Sequence, residues 1–289
     1  MNDAVTTRVS EALCALRPPA GADEAAYPPA FRAIAELLLL RTTLYVAGRP
    51  HRLAEIELYW DGPGHRDPFT HGDPQQRRAG VWYFHRERGG AYKGGSFKGI
   101  DIAIGADDTA AGVLIRGARA ADGAVLDGSC VFVDHVLART GASSVAALAA
   151  AFDHAIDPSP TGESPLYLDL DRAATGGEPP RIFASPRVGL TLKKGATRER
   201  QRFIARPYRF LTEPRTIKKG KLYVVLALHR EGCAATEIAA LTGVPRAHVD
   251  RYVDAYRGGA GRSPASLPGE PSPTELCALL GACTELWPW

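Results

Sequence analysis

From residue 54 the chain reads AEIELYW, and its alternation is strict: Glu55, Glu57 and Tyr59 share one parity, Ile56, Leu58 and Trp60 the other. A side-chain period of two belongs to a β-strand, so one face would carry two carboxylates and a phenol and the opposite face would be apolar. Just upstream, PAFRAIAELLLLR (29–41) repeats its apolar residues at helical spacing and predicts an amphipathic helix. TTLYVAG (42–48) and HRLAEIELYW (51–60), joined by GRP, predict a β-hairpin. IDIAIG (100–105) and AGVLIRGARA (111–120) predict further strands. CVFVDHVLA (130–138) fits either a strand or the start of a helix that continues with SSVAALAAAFDHAI (143–156). SPLYLDLD, PRIFASPRVGLTL and RFIARPYRFL complete the strand candidates. Many strands with few helices predict an α+β fold built on a mixed, largely antiparallel sheet with peripheral helices.

After Lys221 the pattern becomes helical. Glu237, Ile238, Ala239, Gly243, Val244 and Val249 follow the order of residue types of a helix-turn-helix. Ala239 lets two helices approach, Gly243 supplies a turn with unusual backbone angles, and Val244, Val249 and Tyr252 pack behind. Pro245 suits the first turn of the second helix, whose outward face would present Arg246, His248 and Arg251. GGAGRSPASLPGEPSP (258–273) reads as a linker, and TELCALLGACTELWPW as a short helix with an aromatic tail. The expected organisation is a loose segment 1–28, a main domain 29–220, a helix-turn-helix 221–257, and a linker with terminal helix 258–289.

Composition narrows the class. The chain of 289 residues is long enough for a sizeable core, and AIAELLLL is too short and too charged to cross a membrane. Five scattered cysteines suggest neither a disulfide framework nor a zinc site, and a reducing cytosol is expected. The net charge of +3 is mild, but its distribution is not. Between Arg187 and Lys221 a dense run of Arg and Lys, Lys218 and Lys219 included, is opposed only by Glu199 and Glu213 and is interleaved with Phe203, Tyr208 and Phe210. Such a run is an electrostatic footprint for nucleic acid. His65, Asp67, His71 and Asp73 lie near one another in sequence but lack the tight ligand spacing of a metal site, so no metal and no cofactor are expected.

Five separated stretches, EIELYW, DPFTH, GVLIRGARA, RIFASPRVGL and RPYRFL, together resemble the alkyladenine (3-methyladenine) DNA glycosylase family of the single-domain type, in the family's order across about residues 37 to 213. The resemblance implies a curved sheet like that of the C-terminal domain of methionyl-tRNA formyltransferase. It also implies removal of a modified base, leaving an abasic site. Glu57 matches the glutamate that activates water, and Arg116 the arginine that positions it. Tyr59 matches an aromatic that stacks on the extruded base, and His71 a histidine that donates a hydrogen bond to it. Arg187, Arg206 and Arg209 match structural and DNA-backbone positions.

The residue types suit this chemistry. Breaking an N-glycosidic bond develops positive charge at C1′, which a carboxylate stabilises, and the base must first leave its stack. Arg116, inside the apolar run GVLIRG, needs a carboxylate partner, Glu57 first and Glu55 second. The chain departs from the family where VWYFHRERGGAYKGGSFKG replaces an aromatic-rich strand. The stacking and intercalating positions therefore fall among Tyr83, Phe84, His85 and Tyr92. Asp101 falls where the family has an asparagine that screens out guanine, and Lys93 and Lys98 would meet the DNA backbone. The expected partner is duplex DNA carrying a damaged or modified base, bound by a monomer. A sequence-reading DNA-binding protein without chemistry and an RNA-binding module are the alternatives.

Overall fold

The computed structural model describes residues 8–88, 90–159, 164–171, 178–266 and 271–286. The chain divides into two compact units, Met1–His65 with Thr70–Arg181, and Arg66–Phe69 with Ile182–Trp289. The division therefore falls near residue 181 rather than 220, and the basic run shares a unit with the helix-turn-helix. No helix among the described residues is long and apolar enough to cross a membrane.

Within the first unit, helices α1 (Val9–Ala15) and α2 (Tyr27–Leu40) precede a hairpin of β1 (Thr42–Val46) and β2 (Arg49–Gly62). Then come β3 (His65–Arg66), of which only His65 belongs to this unit, β4 (Val81–Phe84), β5 (Ile100–Ala103), β6 (Ala110–Ala120), β7 (Val125–Asp127), α3 (Ser129–Thr140), α4 (Val145–Ala150) and β8 (Leu166–Leu170). The strand order is β4-β5-β6-β2-β1-β8, with β7 also on β6. These neighbours pair antiparallel throughout, which gives an α+β fold on an open antiparallel sheet.

The apolar parity of β2 lies where the alternation puts it. Ile56, Leu58 and Trp60 are buried along with Phe31, Ile34 and Leu38 of α2, each fully buried side chain of this kind contributing about 1.5–3 kcal/mol. The polar parity is not solvated, however: Glu55 and Glu57 are as buried as their apolar neighbours.

Two expectations change in this unit. Residues 1–28 are not loose from residue 8 onward, because Val9 and Leu13, one helical turn apart, are buried, and Asp157 accepts a hydrogen bond from the Ser10 amide at 3.1 Å. CVFVDHVLA forms the helix α3, burying Phe132, Val133 and Val136 at helical spacing. The later helix stops at Ala150, well short of residue 156.

The second unit contains β9 (Phe183–Ser185), α5 (Arg198–Ile204), β10 (Arg209–Leu211), α6 (Lys221–Arg230), α7 (Ala235–Thr242), α8 (Arg246–Arg257) and α9 (Pro273–Leu286). Strands β9 and β10 pair antiparallel. Val224, Val225 and Leu228 of α6 share a core with Ile238, Val244, Val249 and Val253, while Ala239 and Tyr252 pack on it half-buried. Gly243 closes α7 in the left-handed region with φ 68°, the turn that its place in the pattern predicts. Pro245 is the residue before α8 rather than a member of its first turn, with extended ψ of 139°. Helix α9 is no appendage: Cys277, Leu279, Leu280 and Cys283 are buried in a second core with Tyr223 and Leu226. The aromatic tail 287–289 and linker residues 267–270 lie outside the described residues.

Candidate active site

The polar face of β2 is built by two irregularities in its pairing with β6. Leu53 pairs with Ala118, Glu55 with Gly117 and Ile56 with Ile115, so Ala54 and then Arg116 have no residue opposite them. Such β-bulges redirect side chains and increase local twist. Here Arg116 lies between the levels of Glu55 and Glu57. Its Nε donates to Glu55 Oε1 at 2.9 Å and stands 3.3 Å from Glu57 Oε1. Tyr59 donates its hydroxyl to the other oxygen of Glu57, Oε2, at 2.7 Å.

Glu57 is 0% exposed, Glu55 1% and Arg116 9%. Burial opposes the guanidinium's charge, but the carboxylates of Glu57 and Glu55 outweigh it, so the Arg116 pKa is raised. Arg116 thus bonds Glu55, which the alternation alone leaves as a supporting or solvated residue, and stands beside Glu57 as well.

A second polar cluster occupies the same sheet face. Glu57 and Asp101 both pair with Leu114, and Tyr83 pairs with Asp101. Residues directly opposite one another in antiparallel strands share a face, so Glu57, Leu114, Asp101 and Tyr83 form one row. Two strand spacings separate the backbones of Glu57 and Asp101, about 10 Å. One oxygen of Asp101 accepts from His85 Nε2 at 2.7 Å and the other from Gln76 Nε2 at 3.1 Å.

His71, partly exposed, stands edge-on to His85 with ring centroids 4.3 Å apart. Its Nδ1 is 3.2 Å from the Tyr83 hydroxyl and its Nε2 is 3.4 Å from Lys93 Nζ. An ammonium only donates, so Nε2 is the acceptor and Nδ1–H donates to Tyr83, whose own hydroxyl hydrogen stays available to a ligand. Desolvation by the surrounding protein, followed by the charge of His85, pushes the His71 pKa down to about 4. His71 is accordingly neutral at pH 7. Burial, reinforced by Asp101 and Asp73, raises the Tyr83 pKa, so this phenol keeps its proton.

The remaining expected site residues are more dispersed. Tyr92 accepts from Arg86 at 3.3 Å, with the guanidinium 5.0 Å from its ring centroid. Lys98 pairs with Asp134 of α3. Arg187, Arg206 and Arg209 are buried, which corrects their assignment to the DNA backbone. Arg187 pairs with Asp67 and lies over the rings of Phe69 and Tyr208 at 5.7 and 5.5 Å. Arg209 donates to the Gly220 carbonyl at 3.0 Å and to Ser185 Oγ at 3.4 Å. All three side chains are buried within the second unit. Lys218, Lys219, Arg246 and Arg251 are exposed; Arg246 pairs with Asp250 one turn along α8, and Arg251 lies 5.6 Å from the centroid of the Tyr252 ring. Among the described residues no group of three or more His, Cys, Asp or Glu side chains is placed to hold a metal ion.

One participant, Gln76, escapes the motif reading, and His85, expected only as a stacking candidate, takes part through a hydrogen bond to Asp101. His85 is two residues beyond Tyr83, and that parity is the signal that places it on the same face. Gln76 carries no signal, because it reaches Asp101 from a short 3-10 turn (Pro74–Arg77) outside the sheet. Chemically, the face offers a buried carboxylate oriented by a phenol and a guanidinium, and a hydrogen-bonding cluster across Leu114.

No family model matches this chain. It is similar to an uncharacterized protein of Acanthamoeba polyphaga mimivirus, 29% identical over 205 residues that cover 66% of this chain and 89% of the viral protein.

Proposed function

We propose that the protein is a monofunctional DNA glycosylase: it draws a modified base out of duplex DNA and hydrolyses the bond from that base to the sugar. The observation that carries this reading is the placement of Glu57, fully buried and held by Tyr59 and Arg116, on the same sheet face as His71, Tyr83, His85 and Asp101. Glu57 orients the attacking water and opposes the positive charge that develops at C1′, a role in which a fixed carboxylate in a water-poor site acts strongly. Tyr59, partly exposed, flanks that carboxylate, and the His71–Tyr83 pair supplies hydrogen bonds to the extruded base. The motif resemblance supports the same assignment. No lysine nucleophile is invoked, so the product is an abasic site in an uncut strand. On this reading the protein acts as a monomer in a reducing cytosol.

The test is release of free base from duplexes carrying alkylated, deaminated or hypermodified bases. Glu57→Gln is expected to lower the single-turnover rate by about 10²–10⁴-fold, the usual worth of a positioned acid or base. A wild-type rate that never exceeds the variant's on any substrate defeats the proposal.

A second reading is favoured by α7, α8 and the exposed Arg246 and Arg251: a DNA-binding protein that reads sequence and performs no chemistry. It requires tight binding to one undamaged sequence that Glu57→Gln leaves intact. Salt-sensitive binding indifferent to sequence would count against it.

A further inference from the structure

We propose that His51 of β2 and His135 of α3 form a two-histidine site for a divalent ion of the imidazole-preferring class, zinc foremost, which staples the helix to the sheet. Their Nε2 atoms converge, 2.9 Å apart. His51 lies within the sheet, opposite Leu44 of β1 and Ala120 of β6, and is 3% exposed. His135 is half-buried on α3. Along β2 the path from His51 to Glu57 is about 20 Å at the rise of a strand, so the pair is separate from the candidate active site and independent of its chemistry.

The buried imidazole of His51 is aimed from behind. Its Nδ1–H donates to the Arg49 carbonyl at 2.9 Å, which fixes the tautomer and leaves the lone pair of Nε2 directed at His135. Donation from the far ring nitrogen to a backbone carbonyl is the arrangement that orients histidines bound to metal ions. The two ring centroids are 5.0 Å apart and the ring planes cross at 72°. Two imidazoles on one tetrahedral ion, with bonds of about 2.0–2.1 Å, hold their nitrogens about 3.3–3.4 Å apart and their centroids about 5.2 Å apart. The centroids therefore stand almost at chelating distance already. Opening the nitrogen gap by about 0.4–0.5 Å, a matter of small side-chain rotations, turns the hydrogen-bonded pair into a chelate.

Without the ion, His135 donates its Nε2–H to His51. On binding, that proton passes through solvent to Nδ1 of the same ring, and both Nε2 lone pairs turn to the ion; no net proton is gained or lost. Burial, foremost, holds both pKa values below 6.5, so protons compete weakly at pH 7.5. Two charged groups act on both rings. Asp122, in the turn after β6, favours a cation there, and Arg139, one helical turn beyond His135, opposes it. Arg139 lies 4.0 Å from Asp122, which offsets part of its charge. Two histidines are fewer ligands than a permanent zinc site has, so water completes the shell and the ion is exchangeable. Imidazole selects ions of the zinc, nickel and copper kind, whereas calcium and magnesium prefer oxygen ligands and do not compete.

Zinc titrated into the full-length, untagged protein at pH 7.5, in competition with a chromophoric chelator, tests the site. The wild type should bind one equivalent that His135→Ala binds at least about 10–100-fold more weakly. Alanine suits a helix, and His135→Gln, closer in size, provides a second variant should the first be destabilised. Imidazole nitrogen NMR should show zinc perturbing Nε2 of His51 and of His135, and calcium or magnesium in the same excess leaving both unmoved. Zinc should also raise the melting temperature of the wild type more than that of either variant, as expected of an ion that binds the folded chain alone. Equal stoichiometry and affinity in the wild type and both variants overturns the site, and so does zinc bound with the His51 and His135 resonances unmoved. The two rings would then serve only as a hydrogen-bonded pair.

Discussion

Replacing Arg116 by methionine tests whether the polar face of β2 is a coupled charge cluster. The guanidinium is 9% exposed and lies 2.9 Å from one buried carboxylate and 3.3 Å from another. Methionine keeps most of the stem's packing and removes the charge, which leaves Glu55 and Glu57 as neighbouring carboxylates in a water-poor site. Removing one partner from a buried ion pair costs about 3–5 kcal/mol, and here two acids lose the same cation. With a urea m-value of about 2–3 kcal/mol/M, the midpoint of the first unit's transition should fall by about 1–2 M. The triple variant Arg116→Met, Glu55→Gln, Glu57→Gln has no buried charge left at this site and should recover at least half of that loss, a non-additivity expected of groups in direct contact. Equilibrium unfolding followed by circular dichroism and tryptophan fluorescence measures both. A single-variant loss below about 1 kcal/mol, or a triple variant no more stable than the single, would refute the reasoning.

Two further outcomes follow from geometry given above or nearby. His51 Nε2 and His135 Nε2 lie 2.9 Å apart, and His51 Nδ1 donates to the Arg49 carbonyl at 2.9 Å, so in neutral His51 Nε2 accepts and His135 is the donor. Burial first, and nearby positive charge after it, lowers both pKa values from 6.5. A base with a lowered folded pKa leaves the unfolded chain binding more protons, so stability is full above pH 6.5 and declines as pH falls through the folded values. Thermal melts of wild type and His135→Asn between pH 7.5 and 5 should show a shallower decline in the variant, and parallel curves would contradict the pairing. Gly112→Ala should destabilise the first unit by about 1–3 kcal/mol by crowding Asp101 and Gln76, which a Cβ there would approach to 2.8 and 3.2 Å, and should also slow base release. An unchanged urea midpoint would show that the face has slack there.

Strand placement was readable wherever side chains alternate or repeat, as in α2, the β1–β2 hairpin, β6 and the α7–α8 pair. The parity of Glu55, Glu57 and Tyr59 was correct because pleating leaves it no freedom. Burial of that parity was not readable, since alternation reports a difference between faces and not what covers each. The position of Arg116 between the levels of Glu55 and Glu57 depends on a bulge, a register event between strands distant in sequence, which no local window contains. The buried arginines show the opposite error. Arg187, Arg206 and Arg209 sit in a basic run whose composition signals an exposed cationic face, yet their side chains turn inward to carbonyls, rings and Asp67. Local charge density cannot tell an arginine that binds phosphate from one that braces a fold.

The membership of Arg66–Phe69 in the second unit also bears on how this protein could have been assembled or could be divided. Asp67, the partner of Arg187, is encoded within a stretch that otherwise belongs to the first unit. A gene fragment for residues 182–289 would separate Arg187 from Asp67, and a fragment for 1–181 would carry Asp67 without Arg187. The second unit is therefore not a cassette that could have been appended whole to a pre-existing end, nor one that a cut between the units would release intact. Change in either gene segment is constrained by the other, and the two are inherited as one.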